Sequence, residues 1–210
     1  SRVMDEPTLA DLGIDFTTFG ADDLEIWLSL YRVEDDGGLL RGFRAEVTYV
    51  DLVSSVHDVG TMTGWCTRWA DSGRLADAGD CLSTDAAILA AVAEDIVDSP
   101  EVGIIEDVLM IDRVTLAEEW RGHKLLGAIV TNVVDLLQVY PSSTIAVTQP
   151  EPLSLSSGKA LEEGPLRDAG MAKLHRACAA AGFQQWEDTI VWWRTFDDGD
   201  ANVPFEDPWT

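Results

Sequence analysis

The stretch that most constrains this chain is residues 108–137, VLMIDRVTLAEEWRGHKLLGAIVTNVVDLL. Residues 108–116 are branched and apolar, as a buried strand requires. A polar turn follows, Ala117-Glu118-Glu119-Trp120, and then Arg121-Gly122-His123-Lys124-Leu125-Leu126-Gly127. Beyond it Leu125, Leu126, Ile129, Val130, Val133, Val134 and Leu137 fall in a helical stripe. The unit is strand, basic glycine turn, helix. It points the free N–H groups of a helix start past the end of the strand. With Arg121 and Lys124 beside them, those groups suit a phosphate.

The rest of the chain is long enough, at 210 residues, to give this unit a core, and 46% of it is hydrophobic. We expect one domain, with residues 1–22 as an N-terminal arm and 197–210 as an acidic tail. No apolar run reaches bilayer length and the start lacks a signal-peptide pattern, so the expectation is a cytoplasmic protein with no membrane partner. Cys66, Cys81 and Cys178 share no disulfide or metal spacing, and His57, His123 and His175 pair with no ligand at metal spacing. No metal is expected. The net charge of -24, with lysine only at 124, 159 and 173, repels nucleic acid and anionic lipid. It attracts a cationic small molecule or a basic peptide. Alternatively it serves solubility alone. An acidic imitation of DNA is a further reading, but the charge is spread along the chain.

Taken in order, residues 24–33 (LEIWLSLYRV) read as a strand, and Asp35-Asp36-Gly37-Gly38 as a turn. Residues 40–53 form a second strand, with Phe43, Ala45, Val47 and Tyr49 on one face. A third runs from about Val59 to Trp69, completing an antiparallel meander. Residues 70–82 read as a loop. A helix capped by Ser83 or Thr84 extends to Val97 and buries Ile88, Leu89, Val92 and Ile96. The central strand spans about 103–116, with an interruption at Glu106-Asp107 left open. The central helix covers 122–138. Residues 144–148 are a short strand, parallel to the central one if that helix is the crossover. Residues 149–165 are a Pro/Ser/Gly loop. A helix over 166–181 packs Leu174, Ala177, Cys178 and Ala181 and stops at Gly182. Residues 183–186 and 190–196 make one long or broken last strand, which is a candidate for pairing in a homodimer.

Two segments together resemble a known family. Trp120-Arg121-Gly122 after a strand resembles motif A of the GNAT (Gcn5-related N-acetyltransferase) superfamily. Ala181-Gly182-Phe183 before a final strand resembles its C-terminal motif. The resemblance covers roughly residues 24–196. It implies a GNAT-like α/β (α+β mixed sheet) fold, an antiparallel meander followed by splayed parallel strands with flanking helices. It implies acetyl-CoA as co-substrate in the gap, a primary amine as acceptor, and direct attack on the thioester. By the same resemblance Val114 and Leu116 line the pantetheine arm, and Arg121, Gly122, His123, Lys124, Leu125, Leu126 and Gly127 hold the pyrophosphate. The sequence departs from the family where glycines are usual, at Lys124 and Leu126. Gly127 comes one place late, and Cys178 replaces the customary Tyr. The helix pair that commonly follows the first strand is absent.

Two residues are candidates for proton transfer. Asp112, nine residues before Arg121, shares strand parity with Met110, Val114 and Leu116, so it is expected on their face as general base. An ion pair with Arg113 is the competing reading. Cys178 is the candidate acid, and a core thiol is its competing reading. His175, one turn earlier, is a more ready donor at neutral pH, or a surface residue. Trp192 and Trp193 read as one core and one surface aromatic. A catalytically inactive GNAT-fold binding or regulatory protein is the alternative function.

Overall fold

The computed structural model of the protein describes residue 9 and residues 12–34, 38–68, 73–154 and 159–196. Within them lies a seven-stranded mixed sheet in the order β1-β2-β3-β4-β5-β7-β6 with helices on both faces, an α/β architecture. β1 (Glu25–Arg32), β2 (Leu40–Val50) and β3 (Val56–Arg68) form the antiparallel meander. β4 (Asp107–Leu116) joins it antiparallel to β3 and is parallel to β5 (Thr144–Thr148). The tail at 197–210, Asp35 to Gly37 of the first turn, Trp69, and the centre of the 149–165 loop lie outside the described residues.

The sheet is buried between two layers. On one face Phe43, Met62, Leu109 and Ile111 pack against Ile129, Val130, Val133 and Val134 of α3 (Leu126–Leu137) and Cys178 of α4 (Pro165–Ala180). On the other, Val108, Met110, Ile145 and Val147 pack against Leu89, Ala93 and Ile96 of α2 (Thr84–Asp98). The centre of β4 is thus apolar on both sides, which is why its run lacks alternation. The expected α2 stripe is buried at Leu89, Val92 and Ile96, and the Ser83 hydroxyl caps the helix by accepting from the Ala86 N–H at 3.1 Å.

Several expectations need correction. The segment 70–82 is not all loop: Leu75–Asp80 is a short helix, α1. Its composition gives no periodic signal, but Leu75 and Ala78 are buried against α2. A Cβ on Gly79 would lie 2.6 Å from the Ala86 carbonyl oxygen, so glycine lets the two helices touch. α3 starts at Leu126, four residues past the expected start, because Gly122 and Lys124 have left-handed backbones (φ +83° and 59°). β3 starts at Val56, so His57 is on a strand. On α4 only Cys178 is buried; Ala177 is exposed and Leu174 half-covered, because the helix leans on the sheet by its C-terminal end. Gly182 (φ +82°) ends that helix as expected. Its N–H bonds to Ala179 O at 3.1 Å and that of Phe183 to Cys178 O at 3.0 Å, the paired closure of a glycine stop. The last segment is broken into β6 (Gln184–Gln185) and β7 (Trp192–Thr195), which pair with each other. β7 lies inside the sheet, between β5 and β6, so the final strand is not a free edge.

One irregularity shapes everything near the site. The β3–β4 register shifts between Thr63 and Gly64: Thr63 faces Arg113 and Gly64 faces Ile111, leaving Asp112 as an extra residue. Such a bulge bends its strand and reverses side-chain parity beyond it. Val114 and Leu116 therefore join the face of Leu109 and Ile111, opposite to Met110. The expectation that Asp112 shares a face with Met110, Val114 and Leu116 is wrong for this reason. Gly64 makes the bulge fit, since a Cβ there would run into the Met110 carbonyl oxygen and crowd the Phe43 ring. Gly64→Ala should cost on the order of 2 kcal/mol, seen as a lower urea midpoint at unchanged slope.

Candidate functional site

The site is built where β4 and β5 part. Their parallel pairing runs from Asp107↔Thr144 to Ile111↔Thr148 and stops. The Thr148 hydroxyl donates to Ile111 O at 3.2 Å, closing the ladder. β4 continues to Leu116, still paired with β3 but, among the described residues, with no strand on its other side. Backbone groups on that side of residues 112–116 therefore face an open edge rather than a neighbour.

Past β4 the chain makes a single 3-10 turn at Glu118–Trp120 and then the glycine turn. Trp120 is 1% exposed and anchors the turn in the core. The Arg121 Nε donates to Leu116 O at 2.9 Å, tying the turn back to the end of β4 and leaving the other guanidinium nitrogens for a ligand. The N–H of Arg121 bonds to Glu118 O at 3.3 Å, and the next bonded N–H is that of Ile129, to Leu125 O at 3.0 Å. Among the described residues, none accepts a hydrogen bond from the backbone N–H groups of Gly122 through Ala128. α3 carries no side-chain cap and no acidic residue in its first turn. A run of unpartnered donors at an uncapped helix start is an anion-binding arrangement.

The individual residues of this turn differ in role. Gly122 is exposed, and a Cβ there would meet nothing within 4 Å, so its use is conformational (φ +83°). Lys124 stands in the left-handed region at φ 59°. This backbone favours glycine, and a lysine holds it at a cost of about 1 kcal/mol. The His123 ring stacks on Phe16 with centroids 3.7 Å apart and planes 16° from parallel. Leu125 is buried and Leu126 half-buried, both packing into the core. Gly127 lies against the end of α4, where a Cβ would be 3.4 Å from Ala181 Cα. That is ordinary contact, so a small side chain would fit there.

Asp112 and Cys178 are in different environments. Asp112 is exposed at the bulge. Partial desolvation raises its carboxyl above the ordinary range, the Asp85 charge at the start of α2 adds to this, and Arg113 opposes it. Among the described residues it forms no ion pair with Arg113 within 4 Å. Asp85 escaped the sequence reading because nothing local links it to Asp112. Cys178 is buried, and desolvation pushes its thiol up to about 11. It keeps its proton at neutral pH. Donation to an ordinary thiolate of pKa about 8.5 runs uphill. His175 rests on the Trp192 ring at 4.9 Å.

Sequence reasoning also missed the segment that follows β5. Gln149 follows β5 directly, and its Oε1 is buried with no hydrogen-bond partner; the Nε of Arg167 on α4 is in the same condition. The 149–152 segment is pressed against α4, since a Cβ on Gly170 would lie 2.8 Å from Pro152 Cβ, and Glu151 Oε1 lies 3.8 Å from Arg167 Nη2. Gln149 Oε1 and Arg167 Nε have both lost their water without gaining a protein partner. No local pattern marks Gln149; only its position at the end of β5 does. A separate cleft of about 260 Å³ opens at the other end of β4, lined by Arg41, Thr67, Asp107 and Leu137 among others. It is remote from the donor run. Among the described residues no cluster of side chains is arranged to hold a metal, and no helix is long and apolar enough to cross a membrane.

Three substitutions probe this geometry. Asp85→Asn should lower the titration midpoint of Asp112, followed by carboxyl NMR. Because a raised carboxyl resists ionisation in the folded state, Asp112→Asn should be neutral or stabilising at pH 7, and any gain should vanish as pH falls below the ordinary carboxylate range. Gln149→Leu should stabilise the protein by about 1 kcal/mol, raising the unfolding midpoint. No protein-family model, curated protein or solved structure matches this chain.

Proposed function

We propose that the protein is a GNAT-like N-acyltransferase that moves an acetyl group from acetyl-CoA to a primary amine. The observation that carries this is the continuity between the open edge of β4 at residues 112–116 and the unpartnered N–H groups from Gly122 to Ala128. An extended amide-bearing arm ending in a pyrophosphate needs such a track: backbone groups along a strand edge, then a concentrated set of donors.

The chemistry follows from the groups present. The acceptor arrives as an ammonium and loses a proton to Asp112, directly or through water. The raised affinity of that carboxyl for protons makes it a better base than an unperturbed one. The amine nitrogen attacks the thioester carbonyl, and its oxygen gathers charge against a backbone N–H near Leu116. The carbon–sulfur bond breaks and CoA leaves as thiolate. Cys178 is a poor source for the thiolate's proton, so solvent or the acceptor supplies it. The -24 charge favours a cationic acceptor such as a polyamine, an aminoglycoside or a lysine-bearing peptide.

The same Cys178 observation favours a second reading, a GNAT-fold protein that binds without catalysing. Calorimetry with acetyl-CoA on the wild type and Arg121→Ala tests the site. The expected result is micromolar binding, weakened roughly tenfold by the substitution, or about 1.4 kcal/mol for one lost phosphate contact. An absence of binding by the wild type would sink the enzyme reading and leave a GNAT-shaped scaffold with another partner. Binding without turnover of any amine offered would select the second.

A further inference from the structure

The glycine turn has little of its own to hold it. Its residues 122–125 make no backbone hydrogen bond through N–H, and two of them are left-handed. Beyond the Trp120 anchor and the Arg121 tie, a further contact reaches it from more than a hundred residues away. Asp15 folds a tight turn: its Oδ1 accepts from the Thr17 N–H at 2.9 Å and hydroxyl at 2.6 Å, and its carbonyl accepts from the Thr18 N–H at 3.2 Å. This turn presents Phe16, whose ring lies flat on His123 at 3.7 Å and edge-on to Trp120 at 6.1 Å. Phe19 continues the contact onto Trp120 and Tyr49 at 6.2 and 5.8 Å. The segment is fixed at its other end by Asn132 of α3, whose Nδ2 donates to Ala21 O at 2.6 Å.

We propose that Phe16 is a positioning residue for the anion-binding turn, which it holds through His123 in the conformation that presents its N–H groups. The inference rests on the reading of that turn as the cofactor's phosphate site. Gly122 and Lys124 flank His123, so a ring fixed at His123 removes freedom from both left-handed neighbours. A donor set ordered before the ligand arrives spares the ligand the cost of ordering it.

The test compares the wild type with Phe16→Ala, Phe16→Tyr and Asp15→Ala. Nitrogen relaxation gives the order of the backbone at residues 122–124 without any ligand, and acetyl-CoA titration gives affinity. In Phe16→Ala the order parameters should fall from about 0.85 toward 0.6, acetyl-CoA affinity should drop about tenfold, and the unfolding midpoint should change little. Phe16→Tyr, which keeps the stack, should restore both. Asp15→Ala should move both in the same direction as Phe16→Ala, and it serves if that variant folds poorly. Unchanged order in Phe16→Ala overturns the proposal, as does lost order with unchanged acetyl-CoA affinity. If the wild type itself binds no acetyl-CoA, the proposed function fails, and the relaxation data alone decide whether Phe16 holds the turn.

Discussion

The constraint on which the molecule turns is that β4 outruns β5. Its first half, Asp107 to Ile111, is buried and paired on both sides; its second half keeps only β3. The end of the parallel pairing coincides with the bulge at Asp112, which bends the strand. The bulge is possible because Gly64 offers no Cβ to the Met110 carbonyl. It also puts Val114 and Leu116 on the α3 side, where the chain must return. The glycine turn, the tie from Arg121 to Leu116 O and the late start of α3 follow from where β4 ends.

The parts of this that the sequence discloses are those set by local chemistry. The apolar run of β4, the stripe of α3, the Ser83 cap and the Gly182 stop each depend on residues within a few positions of one another. The parity of Asp112 does not. A single extra residue on one strand is dictated by what faces it, and Gly64 is some fifty residues away. α1 is hidden for a similar reason: its sequence LADAGD has no periodicity, and it is helical because Gly79 and Ala78 fit against α2. The Asp15-Phe16-Thr17-Thr18 turn is held by local hydrogen bonds, but its partner His123 lies far along the chain. Buried atoms without a partner, such as Gln149 Oε1, exist only once the fold has removed water from them.

The proposed anion site lies in a chain of net charge -24, which raises a physical difficulty. A polyanionic ligand is repelled at long range by the surface as a whole, and only short-range contacts offset this. Lysine is scarce, and Arg121 is already committed through Nε to a backbone carbonyl. Backbone N–H groups are the resource that acidic composition leaves untouched. Every residue but proline carries one, and the run from Gly122 to Ala128 contains no proline. Donors of this kind act only within hydrogen-bond distance, so they need an exactingly fixed backbone where a mobile lysine would tolerate a loose one. An acidic protein that binds an anion through its main chain must therefore hold that main chain still. In this fold the hold is supplied from outside the turn, by the Phe16 ring on His123 and by Trp120 beneath it.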